Sequence, residues 1–197
     1  MYRKICSLLL AILVIHGNFS VAALAKKEDN NMTRIEICKD NYNKLFGGEA
    51  LTKTGSDAEM MAILQKYIFG EVFTVGELDM KTREMITVVS LSTQQTLPQL
   101  KAHINAALNV GVSPMELREA IYQCAPFIGF PKTLNAITVL NEVFKERGIQ
   151  TPLEGTMTVK EQDRFKEGHK IQNELYGDEI LQSMKGLPDN MGEDVAR

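Results

Sequence analysis

Leu97-Pro98-Gln99-Leu100-Lys101-Ala102-His103-Ile104-Asn105-Ala106-Ala107-Leu108-Asn109-Val110-Gly111 is the stretch from which the fold can be read. Leu100, Ile104, Ala107 and Leu108 recur at steps of three and four residues, which places them on one face of a helix. Gly111 then closes the segment, since glycine adopts the left-handed conformation at a helix end without steric cost. Ile137, Leu140, Val143 and Phe144 repeat the same spacing further along.

Working outward, helix punctuation recurs along the chain. Thr33 with Glu36, Ser56 with Glu59, Ser113 with Glu116 and Thr158 with Glu161 have capping-box spacing. Pro114 and Pro131 stand where a first helical residue is expected, because proline lacks the N–H that would be orphaned there. Gly47, Gly70, Gly111, Gly148 and Gly177 close successive segments. The pattern predicts helices near 34–46, 57–69, 80–94, 97–110, 114–125, 131–147 and 159–176. Val72-Phe73-Thr74-Val75 is the best strand candidate, although a turn explains it equally well. The fold class is therefore all-α, with short connections and antiparallel neighbours.

Residues 1–25 are set aside as a signal peptide. Arg3 and Lys4 precede an apolar run from Ser7 to Ile15, and Ala23-Leu24-Ala25 supplies small residues for cleavage. Cys6 lies before that run and is badly placed to carry a lipid. The run is shorter than the roughly 20 residues a membrane span requires, so an exported, periplasmic or secreted protein that is not membrane-embedded is expected. Cleavage lowers Lys+Arg from 22 to 20 against 25 Asp+Glu, a net charge of −5. That balance argues against nucleic acid or anionic lipid as the main partner. Cys38 and Cys124 remain, either as a disulfide or as buried free thiols.

An internal repeat also emerges. Asn43-Lys44-Leu45-Phe46-Gly47-Gly48-Glu49-Ala50-Leu51 returns 130 positions later as Asn173-Glu174-Leu175-Tyr176-Gly177-Asp178-Glu179-Ile180-Leu181, with five of nine positions identical. A second copy of the domain that stops after its first helix accounts for this, giving a partial repeat over 158–197.

Leu78-Asp79-Met80-Lys81-Thr82-Arg83-Glu84-Met85-Ile86 resembles the Leu-Asp-x-Lys-Thr-Arg-Glu-Leu-Ile segment of carboxymuconolactone decarboxylases. The resemblance continues through 99–112, Glu116-Leu117-Arg118-Glu119-Ala120-Ile121 and Gly129-Phe130-Pro131-Lys132-Thr133-Leu134-Asn135-Ala136. It implies an alkylhydroperoxidase-D-like helical bundle over 33–148, usually assembled as a trimer or hexamer with sites near subunit contacts. One branch of that family performs cofactor-free decarboxylation of a carboxylated lactone. The other uses a Cys-x-x-Cys pair to reduce peroxides or partner disulfides, with a glutamate twelve residues before the first cysteine and a histidine four after the second. Carried over, these positions are Glu84, Thr96, Gln99 and His103. Neither threonine nor glutamine supplies a thiolate, so the dithiol chemistry is disfavoured.

Thr96, Gln99 and His103 share one helix face, and Glu84 lies on the preceding helix with Val88 and Leu91 on its own face. The expected catalytic pair is His103 as general acid/base and Glu84 as orienting or relay carboxylate, sharing a proton near neutral pH. Thr96 and Gln99 are the expected substrate-binding residues. Glu84 could instead pair with Lys81, Arg83 or Arg118, and His169 reads as a surface residue. No metal site or cofactor is expected, because the histidines and carboxylates show no ligand spacing and Gly47-Gly48 opens no phosphate loop. The leading function is a lyase or isomerase acting on a small organic acid or lactone. A peroxiredoxin-like activity of Cys38 or Cys124 and a non-catalytic ring-forming binding protein are the alternatives.

Overall fold

Each amphipathic segment has one apolar stripe, and stacking those stripes produces the architecture. A computed structural model describes residues 32–188, and among these every regular element is helical. The expected signal peptide, Cys6 and residues 189–197 of the partial repeat lie outside the described residues. The chain divides into two compact units at Thr151 and Pro152. No helix among the described residues is long and apolar enough to cross a membrane.

The first unit contains α1 (Arg34–Phe46), α2 (Ala58–Gly70), a 3-10 turn (Val72–Thr74), α3 (Met80–Gln94), α4 (Leu97–Asn109), α5 (Pro114–Tyr122), the short α6 (Ala125–Ile128) and α7 (Phe130–Glu146). The central helix is α4, which packs against α1, α3 and α7. Its Leu100, Ile104, Ala106 and Ala107 are fully buried, as are Leu117 and Ile121 of α5 and Val143 of α7. Burial of this stripe, not intrinsic helix propensity, holds helices of this length in place. Arg147, just past α7, bonds Asn105 Oδ1 at 2.6 Å and Asn109 Oδ1 at 2.8 Å. Asn109 in turn donates to Leu45 O at 2.7 Å, so the ends of three helices are tied together.

Two predicted capping boxes form, at Thr33 with Glu36 and at Ser113 with Glu116. Two do not. Asp57, not Ser56, precedes α2, and its side chain makes no capping bond. Beyond Thr158 the chain makes a 3-10 turn over Glu161–Asp163 before α8 (Arg164–Tyr176) begins. The predicted helix over 114–125 is split, because α5 ends at Tyr122 and α6 starts afresh at Ala125. The strand candidate at Val72–Val75 is the 3-10 turn.

Gly70 also departs from its expected role. It is the last residue of α2, and a Cβ there would lie 2.8 Å from Arg34 O and 3.3 Å from Cys38 Cβ. Its value is the close approach of α1 to α2. Gly47, by contrast, caps α1 at φ 69°, and its N–H donates to Asn43 O at 2.8 Å.

The second unit holds α8 and α9 (Glu179–Met184). Both α1 and α8 are 13 residues long, and their bounds are offset by the repeat interval. Leu45 is fully buried, whereas its counterpart Leu175 is 69% exposed. The same sequence pattern therefore ends on a covered stripe in one unit and an open one in the other.

Glu116 supplies a pH test of the α3–α5 contact. The Lys81 ammonium 2.8 Å away, reinforced by the Ser113 N–H and hydroxyl, lowers its carboxyl to about 2. A depressed carboxylate stabilises the fold fully above the ordinary carboxylate range, and this contribution is lost as pH falls through about 2. NMR titration is expected to find the Glu116 carboxyl carbon still ionised where exposed glutamates are half protonated. Lys81→Met should move that midpoint upward.

Candidate active site

Glu84 lies on the second turn of α3, whose start is fixed by Asp79 accepting from Thr82 N–H at 2.7 Å. The cap sets the helix phase, and that phase turns Glu84, Val88 and Ser92 inward together. Glu84 has no exposed surface at all. A carboxylate in such a position requires a compensating partner. His103, on the middle of α4, supplies it: Nδ1 lies 2.7 Å from Glu84 Oε2. The imidazole keeps 22% of its side-chain surface exposed. One end of the pair is therefore dry and the other meets solvent.

The alternative cationic partners are engaged elsewhere. Lys81 pairs with Glu116, and Arg118 pairs with Glu119. Arg83 donates to the carbonyls of Leu78, Val72 and Val75 and stacks over Phe73, fixing the segment that leads into α3. Because Nδ1 bonds Glu84, the carboxylate selects the tautomer with the proton on Nδ1, leaving Nε2 as the nitrogen open to a substrate. Glu84 Oε1 is buried without a hydrogen-bond partner. Such an atom is costly in a purely structural ion pair.

Phe46 was not among the residues expected from the sequence. Its ring meets the His103 imidazole edge-on, with centroids 5.6 Å apart and planes at 82°. Tyr42, Phe69 and Phe73 extend this aromatic run through the α1–α2 layer. The helical stripe of α1 marks Phe46 as inward-facing, but only the folded chain brings position 46 to position 103.

Thr96 and Gln99 share a helix with His103 but do not converge on the pair as closely. Thr96 is the residue before α4, two turns from His103, which is roughly 10 Å along the axis. Its Oγ1 is buried and unpartnered. Gln99 is one turn away and exposed. Gln95, beside them, adopts φ 60° and is held there by its own side chain, which donates to Ser92 O and Lys132 O and accepts from Asn135. These bonds offset the cost of a left-handed glutamine and lock the α3–α4 turn onto α7.

Cys38 and Cys124 are both free and buried. Burial pushes each thiol above its ordinary value, which suppresses the thiolate. Cys124 lines an apolar groove of about 500 Å³ with Val89, Ala120 and Phe127, and neither Glu84 nor His103 lines it. A second cavity, about 420 Å³, lies between α1 and α2. No cluster of three or more His, Cys, Asp or Glu placed to hold a metal occurs among the described residues.

Comparison with known proteins agrees with the segment that carries the pair. Residues 58–142 match the model of the carboxymuconolactone decarboxylase family. The chain is 33% identical over 86 residues to 4-carboxymuconolactone decarboxylase of Acinetobacter baylyi, covering 44% of this chain and 64% of the relative. It is 34% identical over 80 residues to an uncharacterized 15.0 kDa protein of Paracoccus denitrificans, covering 40% and 60%. It is 26% identical over 104 residues to nitrosuccinic acid decarboxylase of Metarhizium robertsii, covering 53% and 69%. The chain thus spans less than two thirds of the length of the first two relatives. Distant homologues of this chain are decarboxylases.

Proposed function

We propose, from the premise that residues 58–142 form a carboxymuconolactone decarboxylase family domain, that Glu84 and His103 are the acid–base centre of a cofactor-free decarboxylase acting on a small organic acid or lactone. The observation that carries this reading is the 2.7 Å contact between the partly exposed imidazole and a wholly buried carboxylate.

The chemistry follows from the two ends of the pair. As the carbon–carbon bond to the substrate carboxylate breaks, carbon dioxide leaves and the electron pair passes into the adjacent electron sink as an enolate or its equivalent. Nε2 of His103, protonated, then delivers its proton to that carbon, and solvent restores it. Glu84 holds the ring through Nδ1 and stabilises the imidazolium while it carries the proton. Burial strengthens this interaction, because no water competes for Oε2. By their names, two relatives decarboxylate a lactone acid and a nitro acid, both of which offer such a sink. Gln99, one turn back along α4, and Thr96, two turns back at its start, are proposed to contact the more distant part of the substrate.

Assembly as a trimer or hexamer belongs to the same proposal. Met60, Ile63 and Tyr67 form an outward stripe on α2, each more than half exposed, and such a stripe suits a subunit contact. Export through residues 1–25 is likewise part of it.

The test is a panel of carboxylated lactones, β-keto acids and nitro acids incubated with the full chain in deuterated water. Enzyme-dependent release of carbon dioxide with one deuterium on the vacated carbon is the expected result. Failure of every member to lose carbon dioxide faster than buffer alone would overturn the assignment.

A further inference from the structure

The cavity between α1 and α2 combines apolar side chains with two lysines. Its floor is apolar, made by Ile35 of α1, Ala58 and Ala62 of α2, and Leu51 of the connecting loop. Lys53 and Lys66 stand at its edge with the Thr52 hydroxyl, against a single carboxylate, Glu59. Among the described residues neither lysine has an ion-pair partner, so both ammonium groups are available to a ligand. Two lysines against one carboxylate give the cavity a local positive excess, although the chain as a whole is net acidic.

The loop over the cavity is also held in place. Leu51 adopts φ 61°, which an L side chain rarely takes, and its N–H donates to Gln65 Oε1 at 2.6 Å. Gln65 is itself buried at 5% exposure. A buried glutamine and a strained leucine together fix the lip of the cavity and present the Leu51 side chain to it. The positive field is felt inside the seam as well. Burial raises the Cys38 thiol, and Arg34, Lys66 and Lys39 pull against that rise.

We propose that this cavity is a second binding site, separate from Glu84 and His103, for an amphipathic monocarboxylate whose apolar tail lies on Ile35, Leu51, Ala58 and Ala62 and whose carboxylate meets Lys53 and Lys66. A volume of about 420 Å³ accommodates a medium-length chain and falls within the usual range for small-ligand sites. The apolar floor rejects small hydrophilic anions, and the lysines reject amphipathic cations.

Octanoate is the probe, with octylamine and octanol as charge-reversed and neutral controls of the same tail. Methyl NMR of the full chain is expected to show saturable shifts at Ile35, Leu51 and Ala62 with octanoate and weaker ones with octanol. The double variant Lys53→Glu with Lys66→Glu should weaken octanoate by about tenfold or more and favour octylamine. Lys53 is exposed and Lys66 half-buried, and neither belongs to the buried core, so this variant tests chiefly charge. Ala62→Trp should block all three probes by filling the floor. Equal binding of octanoate and octylamine, shifts confined to another region, or no saturable binding at millimolar concentration would overturn the site.

Discussion

His103→Asn is expected to lower kcat for decarboxylation by about 10²–10⁴-fold while leaving the fold in place. Asparagine's amide nitrogen can occupy the position of Nδ1 and still donate to Glu84 Oε2, so the buried carboxylate keeps its partner. What is removed is Nε2, the only ring nitrogen left to move a proton to substrate. A melting temperature close to wild type together with lost turnover would separate proton transfer from structural support. Unchanged turnover would end the acid–base assignment. Glu84→Met gives the complementary result. It removes one partner of the buried pair and leaves the His103 Nδ1–H without its acceptor, a change that ordinarily destabilises. The expected variant is somewhat less stable than wild type and much slower, because the imidazole has lost the carboxylate that orients it. Loss of a carboxylate kept only for stability would lower the melting temperature and leave turnover unchanged.

The contact between Glu84 and His103 was expected because the resemblance to the carboxymuconolactone decarboxylases marked both positions, and each sits on a strongly periodic helix whose phase is set nearby. Asp79 fixes the start of α3, and the stripe of Leu100, Ile104 and Ala107 fixes the phase of α4. Once both helices are oriented, only one face of each can meet the other. Phe46 was not legible as a site residue, because its contact with His103 spans α1 and α4 and depends on how closely α1 settles onto α2. Gln95 was missed because glutamine carries no left-handed signature. Its conformation is stabilised by partners 37 and 40 residues away.

The cap predictions failed where several polar residues compete. Ser56 and Asp57 bond to one another, which removes both from capping α2. Spacing alone cannot show that a neighbour will intercept a side chain. Thr96 and Gln99 illustrate a different limit. Sharing a helix face places residues in a row, but the row extends along the axis, and only the member opposite Glu84 meets it.

Gly70→Val is expected to destabilise the first unit by about 1–3 kcal/mol and to slow catalysis as well, although Gly70 touches neither Glu84 nor His103. The Cβ alone would sit 2.8 Å from Arg34 O, a backbone atom within the first turn of α1, and 3.3 Å from Cys38 Cβ. Neither is the end of a flexible chain, so α1 itself must shift, and the two γ carbons of valine enlarge the displacement. Phe46 stands at the far end of the same rigid helix with its ring against His103. Movement of α1 therefore reaches the imidazole through a packed aromatic, while the Asn41 bond to Phe69 O and the Arg34–Glu71 ion pair are strained on the way. Gly70→Ala should give a smaller version of both effects. Gly168→Ala, in α8 where nothing lies within 4 Å of the added carbon, is the control and should stabilise its helix by about 0.5–1 kcal/mol. Thermal melts and steady-state kinetics on the three variants distinguish the cases. If Gly70→Val melted like wild type, the close α1–α2 approach would not be what holds Phe46 against the site. If it melted lower but turned over normally, the aromatic contact would be packing without consequence for proton transfer.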